Sequence, residues 1–291
     1  CPENSPRKFY TVHAITLPIT LKPATPTSAA LVDPIGMIFV LHEEEAEVRK
    51  NPKKQLPLVI RGNVYDCVDI IYKNEIPDDA RTGWSNKINL HPHFFQFDTS
   101  ASDGPTIGFS YDMSLRAFTM LKDPEPTKGM PLPGNTVLTA DTKAGSRSIT
   151  VADPSKFHVN IELGVGMDDP KFFEVARIKT INGKTITFDA PLKYGHSKND
   201  IASVEFIRER WYVDSDFGTV YWHDHVFGTD TWGHGLFSAF ITEPPRSTYH
   251  DPVTGKEIRS GPVADIHTLE PVSAHIRGSF REVMMHIMDS N

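Results

Sequence analysis

Two pairs of histidines, each with one residue between its members, are the feature of this sequence best suited to chemistry. His223 and His225 flank an aspartate, and His91 and His93 flank a proline. Imidazole nitrogens without neighbouring thiolates suit copper, zinc, iron or nickel, whereas calcium and magnesium prefer oxygen ligands. The two pairs therefore predict a metal site built from four histidines and leave the choice of metal open.

Both pairs lie in segments with the composition of β-strands. Val220, Tyr221 and Trp222 are strand formers, so His223 and His225 are expected at positions i and i+2 of one strand, with both rings on the same face. Core or surface histidines without a ligand are the alternative, since 13 histidines in 291 residues will produce a single such pair by chance. Two pairs in the same kind of strand context favour a shared metal site.

Composition argues against several classes of protein. The net charge of −7, the pI of about 6.0 and the lack of any basic run argue against a nucleic-acid partner. Nothing approaches 18 consecutive apolar residues, so no transmembrane segment is predicted. Cys1 and Cys67 permit at most one internal disulfide, which leaves the redox compartment open. The start at Cys1, without methionine or leader, is typical of a processed or cut chain, and lipid modification of Cys1 stays an alternative.

Short apolar runs separated by turn residues predict an all-β chain. Residues 62 and 63, Gly-Asn, are expected to form the turn of a hairpin between the third and fourth predicted strands. The charged stretch of residues 43–54 is predicted to be an exposed helix or loop. The predicted strands are residues 8–22, 35–41, 58–61, 67–74, 204–213, 236–241 and 283–288.

The strand pattern changes character in the middle of the chain. A Pro/Gly-rich linker at residues 124–133 is followed by short strands and an Asn-Gly turn, without a histidine pair. We therefore expect residues 1–134 to form the first part of one domain and residues 135–202 to form a small inserted all-β unit. Residues 203–291 are predicted to complete the first domain, carry the second histidine pair and add a carboxy-terminal extension.

These segments together resemble a cupredoxin-type domain of the multicopper oxidase family, over residues 10–245. The region of residues 220–243 is similar to the family's Trp-(Tyr/Phe)-His-x-His…Gly-Leu-x-Gly…Glu-Pro segment. Further similarity lies in residues 58–74 and in His91-Pro92-His93. The inserted unit and the segments at residues 95–104 and 222–225 resemble the large bacterial members that include manganese(II) oxidisers. The resemblance implies a cupredoxin-like Greek-key β-sandwich.

The resemblance also implies a role for each histidine. His91 would be a ligand of a type 2 copper, and His93, His223 and His225 would be ligands of a type 3 copper pair. Such a trinuclear cluster reduces dioxygen to water while a reducing substrate is oxidised. Manganese(II) is the substrate suggested by the resemblance, and iron(II), copper(I) and phenols stay open.

Carboxylates near the histidine pairs are candidates for catalysis. Asp224 and Asp98 are predicted as catalytic residues, although Asp224 lies between two ligands and is expected on the opposite strand face, which favours a hydrogen-bonding role over proton delivery. Asp98 and Asp103 lie in a turn-rich loop, where turn formation is the alternative. His234 is a weaker candidate for a place near the metal or a channel.

The departures from the family pattern predict an incomplete enzyme. No His-Cys-His segment is present, so the type 1 copper is expected outside this chain. Further cluster ligands are missing too, so a second chain or a missing carboxy-terminal portion is the expected partner. An extracellular or periplasmic location follows from the resemblance and the processed start.

Two other functions stay open at this point. The same histidines could serve a zinc- or iron-dependent β-sandwich hydrolase or oxygenase. Alternatively, the chain could be a non-catalytic cupredoxin subunit that supports a partner.

Overall fold

The computed structural model describes residues 1–77, 87–95, 103, 115, 134–167, 169, 172–269 and 278–287. It divides the chain into two compact units. The first contains residues 1–72, 79–114 and 207–291, and the second contains residues 73–78 and 115–206.

The described elements are almost all strands. The α-helices within the described residues are α1 (Glu45–Lys50) and α2 (Gly228–Gly233), and a 3-10 turn covers Pro52–Lys54. The strands are β1 (Arg7–Thr16), β2 (Ile19–Lys22), β3 (Leu31–Asp33), β4 (Met37–Leu41), β5 (Val59–Asn63), β6 (Cys67–Asn74), β7 (His91–Pro92), β8 (Asn135–Val137), β9 (Ser148–Thr150), β10 (Glu162–Val165), β11 (Glu174–Asn182), β12 (Thr185–Phe188), β13 (Ile201–Ser203), β14 (Ile207–Tyr212), β15 (Thr219–His223), β16 (Phe237–Glu243), β17 (Thr248–His250), β18 (Val263–His267) and β19 (Phe280–Val283).

Two four-stranded sheets pack face to face in the first unit. Their strand orders are β14-β6-β1-β4 and β5-β16-β15-β7. Large aromatic side chains fill the space between the sheets: Phe39 stacks on Trp222 with ring centroids 4.6 Å apart, and Trp211 meets Phe240 at 5.8 Å. Burial of these aromatic residues stabilises the first unit, because each removes a large apolar area from water. The predicted all-β sandwich is confirmed.

The second sheet sets the positions of the histidines through its register. β15 pairs antiparallel with both of its neighbours, which brings His223 opposite Phe237 of β16 on one side and opposite His91 of β7 on the other. β16 in turn pairs in parallel with β5, Ala239 lying opposite Val59. Two distant parts of the sequence are therefore adjacent strands at the point where the histidines occur.

The predicted hairpin around residues 62 and 63 is wrong. β5 belongs to the sheet with β16, whereas β6 pairs with β14 in the other sheet. The chain crosses between the sheets at residues 64–66, where Tyr65 adopts a φ of 75°. Gly62 stays inside β5, because a Cβ there would lie 2.6 Å from the Phe240 ring. Gly-Asn signals a turn in many hairpins, but here close packing between two sheets requires the glycine.

Other predicted strands differ from the structure in their bounds. The strand expected over residues 8–22 is two strands, because Pro18 lies between β1 and β2 and cannot donate a ladder hydrogen bond. The strand expected over residues 283–288 is instead β19, which ends at Val283. The charged stretch forms α1, whose Glu45 and Val48 are buried.

The second unit carries one six-stranded sheet with the order β8-β13-β10-β11-β12-β9. Its core consists of apolar side chains at alternating strand positions, including Leu163, Val165, Ile178, Ile186 and Phe188. The predicted domain boundaries at residues 134 and 202 stay a prediction.

Cys1 and Cys67 form a disulfide that ties the start of the chain to β6. In the part of the chain that the structure describes, no helix is long and apolar enough to cross a membrane.

Candidate metal centre

Each histidine pair lies across the end of a strand. β15 ends at His223 and β7 ends at Pro92, so His225 and His93 lie just beyond the two strands. The expectation that His223 and His225 share one strand is therefore wrong at His225. The second ring of each pair nevertheless lies near the first, with ring centroids 5.1 Å apart for His91 and His93 and 5.4 Å apart for His223 and His225.

The four imidazole rings form one cluster. His91 lies next to all three others, with ring centroids 5.1 Å from His93, 5.1 Å from His223 and 4.2 Å from His225. The Nε2 atoms of His93 and His223 are 2.9 Å apart. One nitrogen each from His91, His93 and His223 lies within 4.8 Å of the others, a spacing that fits a bound metal ion.

Backbone carbonyls fix which ring nitrogen carries the proton. His223 Nδ1 lies 2.7 Å from the carbonyl oxygen of Asp224, and the Nδ1 atoms of His91 and His225 each lie 3.1 Å from the carbonyl oxygen of Asp103. A carbonyl only accepts, so the neutral rings carry their protons on Nδ1 and keep lone pairs on Nε2. Three of the four rings are thereby set to bind a metal through Nε2.

Burial keeps these rings neutral. Burial, joined by the charges of neighbouring histidines, lowers the pKa of His223 to about 3. Burial likewise lowers the pKa of His91 to about 4, with His225 as the next cause. The pKa of His93 is lowered for the same two reasons. Neutral imidazole is the form that binds metal, so near pH 7 these three side chains do not have to lose a proton first.

The Asp224 carboxylate lies away from the rings and supports the loop that follows β15. It is fully buried and accepts hydrogen bonds from the Thr231 hydroxyl at 2.8 Å and from backbone N–H groups of Asn89, Val226 and Phe227. Burial raises its pKa, while these bonds lower it. This geometry favours the hydrogen-bonding role over proton delivery, and a direct catalytic role for Asp224 stays a prediction.

The other predicted site residues divide into three outcomes. Asp103 joins the cluster, because its carboxylate oxygens lie 3.6 Å from His91 Nδ1 and 3.3 Å from His225 Nδ1. His234 instead bonds Asp33 at 2.7 Å, through Nδ1. Asp98 lies outside the described residues.

Sequence reasoning missed three neighbours of the cluster. Trp232 donates its indole N–H to the Asp224 carbonyl at 2.6 Å and lies edge-on to His223. The ring of Tyr221 lies 4.7 Å from that of His223, and the spacing of two residues along β15 could have indicated it. Asn89 is buried between the two histidine segments.

No family model and no curated protein matches this sequence. Among solved structures, the chain is similar to a multi-copper oxidase from Pseudomonas thermotolerans, with 10% identity, a TM-score of 0.37, and coverage of 84% of this chain and 31% of that one. It is also similar to the multicopper oxidase mgLAC, with 12% identity, a TM-score of 0.35, and coverage of 83% and 40%. A copper nitrite reductase from Nitrosomonas europaea has 11% identity, a TM-score of 0.20, and coverage of 86% and 97%.

The chain spans less than half the length of the two multicopper oxidases. With TM-scores below 0.5, these likenesses carry no weight for the activity of the chain, which has to be inferred from its own residues.

Proposed function

We propose that this chain is part of a multicopper oxidase and holds copper through His91, His93, His223 and His225. The observation that carries the proposal is the convergence of four imidazoles, three of them with Nδ1 turned to a backbone carbonyl and Nε2 left with a lone pair. The sequence resemblance of both histidine segments to that family agrees with this site.

The donor set fits copper. Neutral imidazoles are suitable ligands for copper, and the Nε2 atoms of His93 and His223 already face each other at 2.9 Å. Outer partners also fit, because metal-binding histidines normally donate their second ring N–H to a carbonyl or carboxylate. We assign His91 to the type 2 copper and the other three histidines to the type 3 pair of a trinuclear cluster.

Bound copper would supply one-electron redox chemistry, so that dioxygen takes up four electrons and four protons and becomes two waters. The residues of this chain hold the ligand rings in one tautomer and exclude water around His223, which is 2% exposed. Asp98 and Asp224 are the carboxylates that we assign to the support of this chemistry.

The remaining parts of the enzyme belong to another chain or to a further portion of this one. The sequence contains no His-Cys-His segment, so the type 1 copper and the other cluster ligands are assigned to that part. Manganese(II) is the proposed reducing substrate, from sequence resemblance. An extracellular or periplasmic location is proposed too, because the Cys1–Cys67 disulfide suits an oxidising compartment.

A second candidate function rests on Asp103. Ligand atoms of His91, Asp103 and His225 also lie within 4.8 Å of one another. Two histidines and one carboxylate suit zinc or iron, so this group supports a zinc- or iron-dependent enzyme. We favour copper. The Nδ1 atoms of His91 and His225 face both the carboxylate and the carbonyl of Asp103, and the bond to the carbonyl requires them to be protonated. A protonated nitrogen has no lone pair for a metal that the carboxylate would share.

Metal titration tests the proposal directly. The purified chain is titrated in separate experiments with Cu(II), Zn(II) and Fe(II), and affinity is measured by calorimetry together with the electron paramagnetic resonance spectrum of copper. We expect copper to bind most tightly and His93→Ala to weaken it by about 100-fold or more, because a ligand is lost. His250→Ala is the matched control, since His250 stacks on His267 away from the cluster.

Equal copper affinity of the wild type and His93→Ala would refute the site. Tighter binding of zinc or iron than of copper, abolished by Asp103→Asn, would support the second function instead. Oxygen consumption is expected only once the part that carries type 1 copper is present.

A further inference from the structure

Asn89 connects the two histidine segments through both ends of its side chain. It is 1% exposed and lies two residues before His91. Its Oδ1 accepts the backbone N–H of His225 at 2.7 Å, and its Nδ2 donates to the Asp103 carbonyl at 3.2 Å. Its backbone N–H donates to the Asp224 carboxylate at 2.9 Å.

The partners determine the orientation of the Asn89 amide. The His225 backbone N–H only donates, so the atom beside it is the side-chain oxygen. The Asp103 carbonyl only accepts, so the atom beside it is the side-chain nitrogen. A side chain that only donates would leave the His225 backbone N–H unpaired, at a cost of about 1–3 kcal/mol. A side chain that only accepts would lose the bond that holds the Asp103 carbonyl in place.

The Asp103 carbonyl is also the acceptor for the Nδ1 atoms of His91 and His225. Asn89 therefore holds the acceptor that sets the tautomer of both rings, and at the same time holds the backbone of one of them. Asn89 and His225, which this hydrogen bond joins, are 136 residues apart in the sequence.

We propose that Asn89 is a positioning residue that fixes the Asp103 carbonyl and the His225 backbone, so that His91 and His225 present Nε2 to the same metal cluster. The proposal rests on the proposed metal site. It concerns the metal-free protein as well, because every hydrogen bond that carries it joins two groups of this chain.

Two measurements test this role. Nitrogen-15 NMR of the metal-free protein, labelled at histidine, reports which ring nitrogen carries the proton. Calorimetry reports the affinity for Cu(II). In the wild type we expect His91 and His225 to be single Nδ1–H tautomers. In Asn89→Ala we expect mixed tautomers and a copper affinity about 10–100-fold lower.

Asn63→Ala is the matched control. Asn63 is likewise buried, and its amide accepts from the Tyr249 hydroxyl and donates to the Ser247 carbonyl at the far end of β5. This variant loses stability, but its histidine tautomers and its copper affinity are expected to stay as in the wild type. The control separates a general loss of packing from an effect on the ligands.

Asn89→Asp covers the case in which the alanine variant does not fold. It keeps the volume and the acceptor for His225 and removes the donor to Asp103, so mixed tautomers are expected again. Unchanged tautomers in a folded Asn89 variant, or mixed tautomers in the wild type, would overturn the role of Asn89. Wild-type protein that binds no metal but shows single tautomers, lost in the Asn89 variants, would overturn the metal site and leave the positioning role standing.

Discussion

The two ends of the sheet β5-β16-β15-β7 carry buried polar groups of opposite character. At the Glu243 end of β16, Arg61 is fully buried and bonds Glu243 at 3.0 Å, Glu282 at 3.3 Å and the Gly261 carbonyl at 2.7 Å. At the Phe237 end, imidazole rings face other imidazole rings. The two ends of β16 therefore lie beside an ion network and beside a cluster of neutral nitrogen donors.

The difference lies in where the positive charge comes from. Arg61 supplies one cation that Glu243 and Glu282 share, so the positive charge of this network comes from the chain itself. The histidine cluster contains no such fixed cation, and burial lowers the pKa of His223 to about 3, which opposes protonation. A cluster whose rings resist protonation keeps its nitrogen lone pairs available for a metal cation. We therefore assign a structural role to the Arg61 network and metal binding to the histidine cluster.

Removal of Arg61 is expected to have the largest effect on stability. Arg61→Ala leaves Glu243 and Glu282 side by side without a cation, which we expect to lower the free energy of unfolding by about 3–5 kcal/mol. Urea unfolding measures the loss. Arg281→Ala, which breaks the exposed pair with Asp265, is the control and is expected to have no measurable effect. A loss at Arg61 as small as in the control would mean that the network is not structural.

Copper should stabilise the protein through the other end of the sheet. At free copper about 100 times the dissociation constant, the wild type is expected to gain about 2.7 kcal/mol in the free energy of unfolding. His223→Ala removes a ligand, so most of this gain should be lost. The measurement is urea unfolding with and without copper. The same gain in His223→Ala as in the wild type would contradict the assignment.

Alkaline pH should weaken the ion network. Burial, and next the charge of Glu282, raise the pKa of Glu243 above its ordinary value of 4.5. A raised pKa in the folded state means that the stabilisation is complete below about pH 4.5 and is lost as pH rises through the raised value. We expect a loss of about 1–2 kcal/mol between about pH 5 and 9.

Glu282→Gln tests the cause of this pH dependence. Glutamine can still accept from Arg61 and donate to Glu243, but it adds no charge. The variant is expected to lose less stability at alkaline pH than the wild type, because burial still raises the pKa of Glu243 but the charge of Glu282 no longer does, as measured by urea unfolding across the pH range. An identical pH profile for both proteins would show that Glu282 does not raise the pKa of Glu243.

The smallest expected effect is that of Trp232→Phe. It removes the indole N–H bond to the Asp224 carbonyl, and we expect a loss of about 0.5–1.5 kcal/mol in the free energy of unfolding. Copper affinity, followed by calorimetry, should change by less than about tenfold, because His223 Nδ1 still donates to the same carbonyl. A larger fall would mean that Trp232, rather than the carbonyl, orients the ring.

Residue types and their spacing specified the chemical content of this protein. Four histidines in two pairs, a chain of short apolar runs and an acidic balance are local or compositional properties, so they predict a histidine site on an all-β fold without any knowledge of contacts. The predicted β-sandwich is confirmed for this reason, because alternation and β-branched residues act within each strand.

How those parts meet depends on packing between distant segments, which residue types do not specify. The register that brings His91 opposite His223 depends on pairing between distant strands, and a shift by one residue would turn one ring to the other face. The carbonyls of Asp103 and Asp224 carry no signal in their side chains, so the tautomers of the rings could not be predicted from residue types. β5 and β6 belong to different sheets, although Gly62-Asn63 predicts a hairpin turn between them. Close packing of Gly62 on the Phe240 ring likewise could not be read from the residue types.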